Sequence, residues 1–329
     1  MRIAVLHNLR PEQKEAAVPD DMFEDYDRQE TVEAICVALA GLGGDAIPVV
    51  ADKRLPWRLE EGRFDFAFNI AEGEVGRCRE AIPAAVCELL GLPFTGSDAS
   101  TLAVTQDKAL ARRIVSPDIP IVRAVLVDAE HDERHLADLT YPVIVKPNDE
   151  GSSKGIRRSS VCASAAAAMK NCQWLQSSYG CRALVEEFVP GVEVTVGVQG
   201  NGSTRHVLGL MEIAPAEPES LFVYDVEAKR DWRRRIHYHV PPRLPAICLD
   251  AVRDYSLKAC QLLGCRDLAR LDFRLDAAGQ PFFLECNALP GLNPSDSDIV
   301  IMSRGHISYD NLVQRVLLDA ARRVGLSVK

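Results

Sequence analysis

No stretch of this 329-residue chain reaches the length of an uninterrupted apolar membrane helix, so a soluble protein without a membrane partner is expected. Its start, Met1-Arg2-Ile3-Ala4-Val5-Leu6, lacks a long apolar export segment and turns at once into strand-like sequence, which points to the cytoplasm. The ten cysteines stand singly, with no Cys-x-x-Cys pair, and Cys260 and Cys265 lack regularly spaced histidines; reduced thiols are expected rather than a zinc cluster. Positive charge is in deficit: 38 Lys and Arg against 47 Asp and Glu give a formal charge of −9 and no global attraction to nucleic acid. The basic run Lys229-Arg230-Asp231-Trp232-Arg233-Arg234-Arg235 is therefore expected to be a solvated loop or an anion-facing lid. Two familiar nucleotide grips, Gly-x-x-x-x-Gly-Lys-Ser/Thr and Gly-x-Gly-x-x-Gly, are also missing.

What is present is a globular composition, 47% hydrophobic and 26% charged, in a chain long enough for two or three compact units. Apolar spacing predicts strands over Ile3–Leu6, Ala46–Val50 and Phe64–Asn69, alternating with helices over Thr31–Leu42 and Cys78–Leu90, hence an α/β unit. Helix is predicted over Thr101–Ile114. A compact mixed sheet is then expected from Val122–Val127, Tyr141–Lys146 and Ala183–Val189, with a helix over Ser164–Leu175. Further strands are read at Val192–Val198, His206–Ile213, Leu268–Leu275 and Pro281–Cys286, the last two joined by a hairpin turn at Asp276-Ala277-Ala278-Gly279. Helices over Leu249–Leu263 and Tyr309–Val324 complete the chain. The acidic cluster Asp20, Asp21, Glu24, Asp25 and Asp27 reads as a solvated mobile loop, with recognition of a cationic substrate as the second reading.

The chemistry concentrates in three places. Lys146 ends an apolar strand and runs into Pro147-Asn148-Asp149-Glu150-Gly151-Ser152-Ser153-Lys154-Gly155, a donor-rich turn whose amides suit phosphate oxygens while the ammonium supplies charge. Asp272 and Glu285 fall on separate strands, with Asn287 on the same side of the backbone as Glu285. Two carboxylates and an amide oxygen suit hard Mg²⁺ ions, although hydrogen-bonded structural carboxylates explain such a trio equally well when it is taken alone. Arg270, two residues before Asp272, offers a planar donor fork for an oxygen-rich group or a structural pair with Asp272.

Together these motifs, in this order, resemble the ATP-grasp superfamily and within it the D-alanine-D-alanine ligase family. The similarity extends over nearly the whole chain, including Gly91-Leu92-Pro93-Phe94-Thr95-Gly96-Ser97 and Asn287-Ala288-Leu289-Pro290-Gly291. It implies an ATP-grasp fold mixing α/β and α+β parts: an N-terminal parallel-sheet domain (1–97) followed by a central lobe (98–190) and a C-terminal lobe (191–329) that enclose ATP. By the resemblance, Lys108 and Lys146 contact ATP phosphates and Ser152 and Ser153 belong to the phosphate loop. Glu186 with the backbone of Glu187 and Val189 reads adenine, Glu193 binds ribose, and Leu284 packs below the base. Lys229 reaches the terminal phosphate from a closing lid, and Arg270 with the Gly291 amide supports the reacting carboxylate and the oxyanion that follows. Asp272, Glu285 and Asn287 bind two Mg²⁺ ions, for which Mn²⁺ can substitute, and a homodimer is suggested.

The implied activity is ADP-forming ligation of amino acids or small peptides. A carboxylate attacks the γ-phosphate to give an acyl phosphate, and an amine then displaces phosphate. D-alanine-D-alanine ligation is one form of this; the alternatives from other classes are a non-catalytic nucleotide-binding regulatory protein and a carboxylate kinase. This sequence departs from the family's Gly-Gly-x-Ser-x-Glu pattern, having His7-Asn8-Leu9-Arg10-Pro11-Glu12-Gln13 instead. The glutamate that holds the first substrate's amine is thereby lost, with Glu12, Asp20, Asp21 or Glu24 as replacements to consider. Asn69-Ile70-Ala71-Glu72-Gly73-Glu74-Val75-Gly76-Arg77 replaces the family's histidine-glycine loop, Arg230 stands where the lid usually has tyrosine, and Ser297 is the candidate donor to the second substrate's carboxylate.

Overall fold

The structure, a computed structural model, describes residues 1–11, 18–128, 131, 133–219 and 221–327. Glu12 therefore lies outside the described residues.

Apolar residues that alternate with short turns build the first unit. Strand β1 (Arg2–His7), helix α1 (Gln29–Ala40), β2 (Asp45–Val50), α2 (Leu55–Gly62), β3 (Phe66–Asn69) and α3 (Ala81–Leu90) follow in order. The three strands form a parallel sheet in the order β2-β1-β3. Ile3, Val5, Phe66 and Phe68 are sealed against α1 and the last helix of the chain. The loops after β1 and β3 leave the same carboxyl edge of this sheet, where open parallel sheets bind ligands. The expected α/β pattern holds; α2 is an addition, its two buried leucines, Leu55 and Leu59, giving too short an apolar stripe to stand out in sequence.

The helix expected over Thr101–Ile114 is two helices, α4 (Ala99–Gln106) and α5 (Lys108–Val115). Asp107 breaks them: its backbone is extended and its carboxylate caps Leu110 N at 3.0 Å, while Asp98 caps α4 in the same way through Thr101 N. Each cap satisfies a backbone donor that a helix start leaves orphaned.

Next come β4 (Ala124–Val127), β5 (Val143–Pro147), β6 (Val161–Cys162), α6 (Ala165–Tyr179) and β7 (Ala183–Glu187). Their sheet, ordered β4-β7-β5-β6, is wholly antiparallel rather than mixed, because β7 returns between β4 and β5. The third sheet, β10-β9-β8-β11-β12, is built from β8 (Val192–Gln199), β9 (His206–Pro215), β10 (Ile236–His239), β11 (Leu268–Leu275) and β12 (Pro281–Asn287). The basic run supplies two short helices, α7 (Val226–Arg230) and α8 (Trp232–Arg235), instead of an open loop. α9 (Ala246–Leu263) backs the sheet together with α4 and α5, α10 (Asp298–Ser303) follows it, and α11 (Tyr309–Arg323) returns to pack on α1.

The β11–β12 turn forms as expected: Asp276 Oδ1 accepts from Ala278 N and Gln280 N, and Gly279 takes φ +82°. Asp267, fully buried and itself at φ +60°, accepts from Gly96 N at 2.8 Å, Asn201 Nδ2 at 2.7 Å and Arg323 NH2 at 2.9 Å. One carboxylate thus joins the end of the first unit, the third sheet and α11. All ten cysteines are free thiols. Among the described residues no helix is long and apolar enough to cross a membrane.

Candidate active site

Residues from both antiparallel sheets line one cleft of about 940 Å³. It contains Lys108, Lys146, Ser152, Ser153, Glu186, Glu187, Val189, Glu193, Lys229, Arg270, Asp272, Leu284 and Glu285, all singled out by sequence. Asn287 and Gly291 line a second cavity of about 1680 Å³. The two share Ser152, Tyr224, Lys229, Arg270 and Asp298, so they adjoin there.

At one end, Lys146 from β5 contacts Glu186 from the neighbouring β7 at 2.5 Å, and Arg112 from α5 holds the other Glu186 oxygen at 3.0 Å. Burial opposes ionisation of Glu186, yet the Lys146 and Arg112 charges prevail and hold its carboxyl below the usual range. Glu186 thereby fixes Lys146, while the Glu187 carboxylate is occupied by Thr140 N at 2.8 Å, leaving only main chain of that residue for a base. Glu193 on β8 faces Arg274 on β11 at 3.5 Å, and the Arg274 guanidinium lies 4.6 Å over the Phe188 ring. Burial pushes the Glu193 carboxyl up to about 7 despite Arg274. Arg274 was foreshadowed only by spacing, since Arg270, Asp272 and Arg274 alternate onto one face of β11.

The turn after β5 is held in a conformation that side chains resist. Ser152 and Ser153 have φ of +53° and +58°, costing of order 1–3 kcal/mol each. Gly155 follows at +69°, where a Cβ would come within 2.8 Å of Leu175 and Pro147. Ser153 Oγ donates to Tyr224 O at 3.0 Å, tying this loop to the segment before α7. Lys108, placed at the start of α5 by the Asp107 cap, donates to Glu150 O and stands 3.3 Å from Glu285.

At the junction of the cavities, Arg270 bridges Asp272 at 2.9 Å, Glu285 at 3.7 Å and Asp298 at 3.0 Å. Asp272 and Glu285 are cross-strand neighbours, and Thr195 Oγ1 donates to Asp272 at 2.5 Å. Burial opposes ionisation at Glu285, but Lys108, Lys146 and Arg270 outweigh it and hold that carboxyl at about 2. Asp272 is instead pushed up, first by burial and then by Glu285, against the pull of Arg270. These hard oxygen donors fit Mg²⁺, and a divalent charge would relieve the strain on Asp272. Asn287 Oδ1 also caps Leu289 N at 2.8 Å, which fixes its orientation. Lys229 on α7 has no ion-pair partner among the described residues, and burial draws its ammonium below the usual lysine range. At Gly291 a Cβ would sit 3.4 Å from Ser297 Oγ, so the bare amide keeps this wall open.

Among its described residues the acidic loop after β1 does not stand free: apart from Asp27 its carboxylates are taken by protein donors, although Asp20 remains exposed to solvent. Asp20 pairs with Arg157 at 2.9 Å and Arg230 at 2.5 Å; Asp21, fully buried, accepts from Gly155 N at 2.9 Å and Tyr179 OH at 2.6 Å. Glu24 pairs with Arg10 and Arg230, and Asp25 with Arg79 at 2.6 Å and Lys154 at 2.7 Å. Most of these contacts, to Lys154, Gly155, Arg157, Tyr179 and Arg230, reach more than 100 residues along the chain, so sequence alone left them invisible. Arg230 thus clasps this loop.

Two antiparallel sheets gripping a cleft of lysines, carboxylates and a strained donor-rich turn define an ATP-grasp protein. The model of the D-ala D-ala ligase C-terminus matches residues 117–318. The chain is 31% identical over 289 residues to a D-alanine–D-alanine ligase of Gloeobacter violaceus, covering 86% of this chain and 91% of that protein. It is equally 31% identical, over 308 residues, to the uncharacterized protein y4sG of Sinorhizobium fredii, covering 88% and 87%. In fold it matches a Bacillus anthracis D-alanine–D-alanine ligase complexed with ATP, at TM-score 0.74 and 18% identity over 98% of both chains. The VanG D-Ala:D-Ser ligase of Enterococcus faecalis matches at TM-score 0.70 and 19% identity, over 97% of this chain and 99% of that one. The chain belongs to the D-alanine–D-alanine ligase family. Its class is that of enzymes that form carbon–nitrogen bonds at the expense of ATP.

Proposed function

We propose that the protein joins two amino acids, or an amino acid and a small peptide, through an acyl phosphate. The observation that carries this reading is that the cleft adjoins a larger polar cavity at Arg270, Lys229 and Ser152. A nucleotide in the first space would present its terminal phosphate to a carboxylate in the second. The division into units 1–97, 98–190 and 191–329 belongs to this reading, with α4 and α5 packing on the C-terminal lobe although they precede the central one.

In this reading Val189 and the Glu187 main chain face adenine, Leu284 packs under it and Glu193 accepts from ribose. Lys108, Lys146 and the amides around Ser152 and Ser153 hold phosphates. Asp272, Glu285 and Asn287 would hold Mg²⁺, which when bound neutralises phosphate charge and orients the transferring group. Lys229, partly buried, meets the terminal phosphate, and Arg270 with Gly291 N stabilises the oxyanion formed when the amine attacks. The closed clasp keeps water from the activated carbonyl.

The test is ADP and phosphate release with Mg-ATP across D- and L-amino acids, singly and in pairs, with mass spectrometry of the products. A product equal to the two substrates less water, formed only with ATP, is the expected result. ADP release without an amide product would mark a carboxylate kinase. ATP binding that no amino acid converts to turnover would overturn the ligase reading.

A further inference from the structure

The loop after β1 was the expected source of a carboxylate for the substrate amine, but among its described residues Asp20, Asp21, Glu24 and Asp25 are all consumed by protein donors. The neighbouring loop of the same sheet edge supplies a carboxylate that is not. Glu72, three residues beyond β3, lines the larger cavity and makes no ion pair or hydrogen bond among the described residues. Its backbone is braced on both sides: Asn69 Oδ1 accepts from Ala71 N at 3.1 Å, and Asn8 Oδ1 from Gly73 N at 2.8 Å. Tyr26 OH donates to Gly73 O at 2.9 Å. Gly73 sits at φ +71°, where a Cβ would overlap Arg79 O. Thus the asparagines that follow β1 and end β3 hold the Glu72 backbone in place.

The nearby cations cannot serve Glu72. Arg79 is shared by Asp25, Glu80 and Glu150, and Lys154 by Asp25 and Glu150. Burial first, and the Glu80 and Asp25 charges second, hold the Glu72 carboxyl well above the usual range. A partly buried carboxylate on a braced backbone, with no cation of its own, is a receptor for a cation, and Glu150 places the same cluster beside the turn after β5. Resting on the proposed function, we infer that Glu72 receives the ammonium of the substrate whose carboxylate is phosphorylated, so that the site selects donors with a protonated amine beside the carboxylate. Among the described residues, the other carboxylate of the cavity without a side-chain partner, Asp27, lies toward Arg10 and Tyr309 and serves as the comparison.

The experiment traps the acyl phosphate with hydroxylamine and reads hydroxamate from the full-length protein. The donor is the amino acid that turns over fastest in the panel above, set against the same acid lacking its amine, propionate in the case of alanine. Loss of a charge-assisted contact predicts that Glu72→Gln raises KM for the amino acid about 10-fold or more while changing propionate far less. The melting temperature stays level or rises, because a strained charge is removed. An unchanged KM, an equal loss on both donors, or a selective loss in Asp27→Asn but not in Glu72→Gln would each overturn the assignment. A wild-type protein that binds ATP yet gives hydroxamate from no amino acid would instead bring down the proposed function, and this inference with it.

Discussion

Glu186 shows how much a single side chain can govern here. It pairs with Lys146 and Arg112 at once while almost fully buried. Glu186→Ala strands two cations, so a loss of about 3–5 kcal/mol is expected in urea unfolding, together with weaker ATP binding. Glu193 gives a pH signature. Its folded carboxyl titrates near 7, above its ordinary value of 4.5, so ionising it costs stability as pH rises from about 4.5, and the full cost applies above 7. The ionised form is the better acceptor for ribose hydroxyls. KM for ATP should therefore increase as pH falls through 7, by up to about tenfold per unit, and Glu193→Gln should flatten the profile. Lysines and acids after strands were legible because their chemistry is local. Arg112 was not, since its partners Glu186 and Phe283 are brought to it only by folding.

Elements carry the next layer. The break between α4 and α5 looked like continuous helix because Asp107 sits in an apolar pattern that both helices share; its capping role depends on Asn148 and Arg182 as well. Asp107→Ala should cost about 1–2 kcal/mol for the cap alone and raise KM for ATP by shifting Lys108, as thermal melts and kinetics would show. The clasp between the acidic loop and α7 works differently. Asp20 is well exposed and Arg230 partly so, which makes each pair worth under about 1 kcal/mol. Arg230→Ala should leave stability nearly unchanged yet raise the ratio of ADP released to amide formed, because a looser lid admits water. An unchanged ratio would separate the clasp from water exclusion. The sequence showed the charges on both sides of this contact but not their pairing, which spans the whole length between the first unit and the lid.

At the scale of the whole molecule, the order of strands and helices was readable because each alternation of apolar residues survives in the fold. The grouping into three sheets was less so: β7 inserts between β4 and β5, and α11 turns back to α1 after the last strand. Ligand that binds only the folded state adds about 2.7 kcal/mol at 100 times its dissociation constant. Mg-ATP should accordingly raise the melting temperature by several degrees, and ATP with EDTA by less.

Asp267 gives this architecture its mechanics. Because it takes hydrogen bonds from Gly96, Asn201 and Arg323 with no exposure to solvent, the parallel sheet and the five-stranded sheet are riveted through one carboxylate. Those two parts make a single jaw carrying Asp272, Glu285, Asn287 and Glu72. The small sheet bearing Lys146 and the turn after it is the other jaw, outside that rivet and joined to the first through the ion pairs of the acidic loop, so a parting of the jaws would break those pairs and leave the Asp267 contacts whole.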